Sequence, residues 1–275
     1  LILYPESIHM PEAYFALSCL YLTRDRPKMA VNQLDVLVES FPRSPWSQSG
    51  HYLTGRIWAE MGRLEAAETE MLIVADSPRH HHLEDKAEFW AGHYQLKQKR
   101  YADALQRLNK AIESENQTYE MRAQNLYDLA VCLEKLARPD EEVESRYRQL
   151  KTRYPRSRWA DLSSYRLAQR AFEKGEYSKA VARFESHVAE FGFKSLRADD
   201  ACCGWLSALL RTDNPMKAVL LAQTICSRFE PAKIHAQFLP RLLEVYWAAE
   251  LPKPALALVE EALDSSSRTM PLPRL

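Results

Sequence analysis

The sequence predicts an all-α fold: a right-handed superhelical solenoid of about seven helical hairpins. Three observations predict it. In the stretch from Ser157 to Phe191, Leu162, Tyr165, Leu167, Ala168 and Ala171 recur at helical spacing. Gly175 then breaks the pattern, and Ala180, Val181, Phe184 and Val188 begin a second helix. The small residues Ala30, Ala67, Ala104, Val143, Ala180, Ala218 and Ala255 recur with gaps of 37, 37, 39, 37, 38 and 37 residues. A turn precedes each of them: Arg26-Pro27, Gly62-Arg63, Lys99-Arg100, Arg138-Pro139, Gly175-Glu176, Asn214-Pro215 and Leu251-Pro252. Third, Tyr4-Pro5-x-Ser7, Phe41-Pro42-x-Ser44 and Tyr154-Pro155-x-Ser157 form a recurring joint. In it, Pro stops one helix and Ser can cap the next. A hairpin with one uncovered apolar side needs a similar neighbour, so the pattern implies stacking.

In chain order the units run Pro11–Pro42, Pro45–Ser77, Glu84–Glu115, Tyr119–Tyr154, Ser157–Phe191, Leu196–Phe229 and Ala236–Leu263. Residues 1–10 read as the end of a truncated preceding repeat and 11–263 as one continuous array. The polar run Asp264-Ser265-Ser266-Ser267 is expected to end the last helix, with 264–275 a tail or the start of a continuation. The chain begins at Leu1 without Met and reads as a piece of a longer protein.

Lys plus Arg and Asp plus Glu both number 37, so the balance gives no general pull toward nucleic acid or anionic lipid. No run approaches the length of a membrane span, and no signal peptide is visible. Cys19, Cys132, Cys202, Cys203 and Cys226 fit neither a disulfide framework nor a zinc site and read as buried small hydrophobes. A Cys203–Cys226 bridge stays open, subject to Cβ spacing. His80-His81-His82 reads as an exposed loop tract; three consecutive residues rarely close one metal site. There is no phosphate loop, GxGxxG, HExxH or nucleophile elbow, and no converging carboxylate pair. No catalytic residue, cofactor or metal is therefore assigned.

These units resemble tetratricopeptide repeats. The resemblance rests on Leu17, Tyr21, Ala30, Leu34, Leu37 and Pro42 in the first unit. Gly55, Trp58, Gly62, Ala67, Met71 and Val74 carry it in the second, and Gly92, Tyr101, Ala104, Leu108 and Ala111 in the third. The seventh has Leu242, Tyr246, Ala255, Val259 and Ala262. The period is about 37 where the family has 34. That longer variety is similar to bacterial envelope proteins: the outer-membrane assembly lipoprotein, the Tol–Pal coordinator and the solenoid of soluble lytic transglycosylases. The resemblance implies a non-catalytic scaffold that binds a protein partner, peptide or domain, in a concave groove. It also implies further repeats or domains of the same polypeptide. The alternative is a non-catalytic segment of a larger peptidoglycan-processing enzyme. A periplasmic or envelope location follows from the resemblance, with the cytoplasm as alternative.

Phe15, Tyr52, Phe89, Tyr127 and Tyr165 form a ladder with gaps of 37, 37, 38 and 38. In the family's geometry this position faces the groove, where rings could grip a partner; packing between adjacent first helices is the other reading. One turn on lie Arg56, His93 and Gln169, which would suit a peptide of some acidic character; solvated, scattered polar groups are the bland alternative.

Overall fold

The computed structural model describes residues 7–78, 82–113, 116–230 and 233–269, without the side chains of residues 235 and 264–269. The Tyr4-Pro5 joint, His80, His81 and the tail from residue 270 lie outside the described residues. Fourteen α-helices and no strand occur among the described residues. They are α1 (Met10–Thr23), α2 (Pro27–Ser40), α3 (Pro45–Glu60), α4 (Leu64–Ala75), α5 (Glu84–Lys97), α6 (Tyr101–Ile112) and α7 (Tyr119–Lys135). There follow α8 (Asp140–Arg153), α9 (Arg158–Glu173), α10 (Tyr177–Phe191), α11 (Ala198–Arg211), α12 (Pro215–Arg228), α13 (Leu239–Ala248) and α14 (Pro252–Thr269). They pair as seven hairpins and fall into two compact units, one up to Gln149 and one from Leu150.

Each hairpin turns in the same way. Asp25, Gly62, Lys99, Ala137, Gly175, Asp213 and Glu250 all have positive φ, between 51° and 77°. The next residue's N–H reaches back five positions, as in Arg63 N to Trp58 O (2.8 Å) and Arg138 N to Leu133 O (3.0 Å). This is the Schellman closure, which satisfies carbonyls left free at a helix end. It reverses the chain with one left-handed residue, so the second helix folds straight back on the first.

The small-residue ladder marks where paired helices touch. Ala30, Ala67, Ala104, Val143, Ala180 and Ala218 are all fully buried. Ala255, on the last helix, is only half-buried. In the first unit the core passes from helix to helix: Ala30, Leu34 and Leu37 of α2 meet Ile57 of α3. Met71 and Val74 of α4 meet Ala87 and Tyr94 of α5. Ala104 and Leu108 of α6 meet Phe89 of α5 and Leu129 of α7. In the second unit one core joins Phe184, Leu206, Ala222 and Leu242. Gly204 lets α11 approach so closely that a Cβ there would stand 2.4 Å from Phe184 Cζ.

The joint serines act as expected at two places. Ser44 Oγ accepts from Trp46 N (3.2 Å) and Ser157 Oγ from Ala160 N (3.2 Å). Two boundaries differ from expectation. The last helix does not stop at the serine run; α14 continues to Thr269, since Ser is only a mild helix breaker and neither Gly nor Pro intervenes. The seventh hairpin opens with a π-helical turn, Ile234–Phe238, because Pro240 brings no N–H to the first turn of α13.

Candidate functional site

In the first unit the ladder residues sit on α1, α3, α5 and α7. Phe15 packs against Trp46 with the rings tilted and their centroids 5.1 Å apart. Together with Pro45, Ser49, Tyr52 and Leu53 these rings line a pocket of about 530 Å³, closed at one side by His82 and Leu83. The Tyr52 hydroxyl accepts a hydrogen bond from Trp90 Nε1 (3.1 Å). Arg56, one turn on, lays its guanidinium over that same indole, 3.8 Å from the ring centroid. No ion pair or hydrogen bond joins Arg56 to any described residue. A half-buried guanidinium held over an indole face makes no hydrogen bond to it, so its N–H donors are left for a carboxylate.

Phe89 requires a correction. It is fully buried, packed beside Ala104, Leu108 and Leu129 and edge-on to Trp90 (4.9 Å). No partner reaches it; its ring belongs to the core between α5, α6 and α7. Trp90 takes the exposed side. His93 is also largely engaged: its Nδ1 lies 2.7 Å from Asp128 Oδ2 on α7, and its ring stacks on Phe89 (6.0 Å). With the proton on Nδ1 the ring donates to that carboxylate; Gln124 Nε2 lies 3.2 Å from the same nitrogen. Tyr127 is half-buried against Tyr147 (5.8 Å), whose hydroxyl donates to Glu134 (3.2 Å).

In the second unit Tyr165 and Gln169 line a cavity of about 770 Å³ with Phe172, Gly204, Arg211 and the ion-paired Arg241 and Glu244. Burial pushes the Tyr165 hydroxyl above its ordinary pKa, reinforced by Asp200 and opposed by Arg197.

Sequence reasoning passed over Trp46 and Trp90. A signal existed for Trp46: Ser44-x-Trp46 recurs as Ser157-x-Trp159 at the later joint. Trp90 stands 37 residues after Leu53, in the same register one repeat on.

A Ser–His–Asp cluster in the second unit also escaped notice. Ser195 Oγ donates to Asp161 Oδ1 (2.7 Å) and lies 3.2 Å from His187 Nε2, while Leu196 N donates to Asp161 Oδ2 (3.0 Å). With its only proton given to the carboxylate, the hydroxyl is not activated by the imidazole. The trio instead ties the turn after α10 to α9. All five cysteines are free, Cys203 and Cys226 included. Burial raises Cys132 and Cys202 to about 12, so both stay thiols at neutral pH. No group of three metal-binding side chains occurs among the described residues, and no helix among them is long and apolar enough to cross a membrane.

The fold so built is that of tetratricopeptide-repeat proteins. The chain is similar to the repeat-sensor signal-transduction ATPase of Pyrococcus horikoshii, with TM-score 0.66 and 17% identity, covering 94% of this chain and 42% of that one. It is similar to a tetratricopeptide repeat protein of Parabacteroides merdae, with TM-score 0.62 and 14% identity over 93% of both chains. Pseudomonas aeruginosa PilF gives 0.56 and 16%, covering 80% of this chain and 92% of PilF. No protein-family model matches the chain. No curated protein matches it by sequence.

Proposed function

We propose that this chain is a non-catalytic protein-interaction scaffold that takes a partner peptide or domain on the face formed by its first helices. The observation that carries the reading is the unpaired Arg56 guanidinium on Trp90, joined through Tyr52 to the apolar pocket of Phe15 and Trp46. A structural arginine is normally held by a carboxylate or carbonyl. This one is held by an indole face, which leaves its charge for something from outside. An apolar pocket beside a fixed cation fits a partner segment that pairs a bulky side chain with a carboxylate. Tyr127 and the accessible edge of His93 extend the proposed surface within the first unit; Tyr165 and Gln169, lining their own cavity, are proposed as partner-binding residues of the second unit by itself. Phe89 supports it from beneath. Residues 11–263 are read as one array of seven repeats.

An envelope setting is part of the proposal. It is supported by the likeness to PilW, described as a widely conserved type IV pilus biogenesis factor (TM-score 0.57, 13% identity, covering 81% of this chain and 95% of PilW).

The test is affinity capture from lysate and envelope fractions of the source organism, comparing wild type with Tyr52→Ala and Arg56→Gln. The expected result is loss of the captured partner in both variants, with circular dichroism unchanged. Undiminished capture by both well-folded variants overturns the reading.

A further inference from the structure

The joint between the fifth and sixth hairpins is built differently from the Pro–Ser joints before it. It reads Phe191-Gly192-Phe193-Lys194-Ser195. Gly192 sits at φ +69°, a single 3-10 turn follows, and no side chain caps α11, because Ser195 is turned toward Asp161. The opened joint leaves a cavity of about 620 Å³ against the end of α12. Its apolar wall is made of Phe191, Phe193 and Phe229, the last two edge-to-face at 5.7 Å. Its charged wall holds Lys194, Arg228, Glu230 and Lys233.

The charges do not cancel within the wall. Lys233 Nζ is neutralised by Asp199 at 2.8 Å and lies 4.9 Å from the centre of the Phe229 ring. Arg228 rests over Phe193 at 5.9 Å and, like Lys194, has no ion pair with any described residue. Two free cations face one free carboxylate, Glu230, so the cavity carries an excess of one positive charge. It also lies at the C-terminal ends of α10 and α12, where helix dipoles place partial negative charge and disfavour a polyanion. The volume is that of a ligand pocket and admits one large side chain with its flanking backbone.

We infer that this cavity is a second docking site, taking a segment of a protein partner in which an aromatic residue stands beside a single carboxylate. The aromatic group packs among the three phenylalanine rings, and the carboxylate meets Arg228 and Lys194. A nucleotide shares the need for rings and cations, but it brings at least two negative charges against Glu230 and both helix ends. The site is separate from the surface around Tyr52 and does not depend on it.

The test uses the full chain and three probes: N-acetylphenylalanine, its uncharged amide, and adenosine monophosphate. Binding is read from the amide resonances of Gly192 and Lys194. The expected result is saturable shifts with N-acetylphenylalanine, at least about tenfold weaker binding of the amide, and weaker binding of the nucleotide. Arg228→Gln is expected to reduce the acid to the level of the amide, whereas Tyr52→Ala leaves it unchanged. No saturable shift, equal affinity for acid and amide, or tighter binding of the nucleotide overturns the inference. Should Arg228→Gln unfold, the acid-to-amide ratio in wild type decides alone.

Discussion

At the scale of single residues, equal spacing places side chains at equal angles but does not say what covers them. Tyr52 and Phe89 are 37 residues apart in one ladder, yet Phe89 is fully buried and Tyr52 half-exposed. Leu108 and Leu129 close over Phe89, while Tyr52 borders an open pocket. Phe89→Ala should therefore cost about 3–5 kcal/mol in a urea melt, as core Phe truncations do. Tyr52→Ala should cost less, about 1–2 kcal/mol, from its half-buried ring at the edge of the α4–α5 core and its bond to Trp90. Equal costs would contradict the placement. His187 gives a pH-dependent test. It is buried in the last turns of α10, facing Asp161 from α9, Lys151 from α8 and Glu190 from its own helix. Burial holds its pKa below the ordinary 6.5; Lys151 adds to the depression, while Asp161 and Glu190 oppose it. The unfolded chain takes up the proton first as pH falls. The stability from the neutral ring is thus full above about 6.5 and lost on descent toward the folded-state value. Urea melts at pH 7.5 and 5.5 should show that loss in wild type and a smaller one in His187→Phe.

At the scale of the element, the seven turns decide how each hairpin closes. The sequence marked their positions through proline, glycine and the small-residue ladder. It did not mark the left-handed residue, since five of the seven are Asp25, Lys99, Ala137, Asp213 and Glu250. Lys99, Ala137 and Glu250 carry weak turn signals and are brought into that region by the backbone closure, whereas Asp25 and Asp213 tolerate it better. A non-glycine residue there carries a strain of about 1 kcal/mol. Ala137→Gly should raise stability by up to about 1 kcal/mol, less what the flexible glycine gives back through the unfolded state. Gly62→Ala should lower it by a similar amount. Thermal melts of the two variants check both signs, and destabilisation by Ala137→Gly would count against the turn geometry.

At the scale of the molecule, the helical hairpins and their order were legible, because a close helix contact repeated every 37 or so residues needs a small side chain each time. The proposed site was legible in part: register singled out Phe15, Tyr52 and Arg56, but not Trp46 and Trp90, which pack against them. Their roles come from contacts between hairpins, and register within one repeat is silent about those. The same holds for the Asp161–Ser195–His187 tie, whose members come from two helices and a turn.

The account stands on the first-helix surface being where another protein sits. The most direct measurement is site-specific photocrosslinking, with p-benzoylphenylalanine at Ser49, which lines the pocket, and at Thr69, exposed on α4. A discrete protein adduct from position 49 and none from position 69 is the predicted result. No adduct at 49, or the same adduct from both positions, would contradict it.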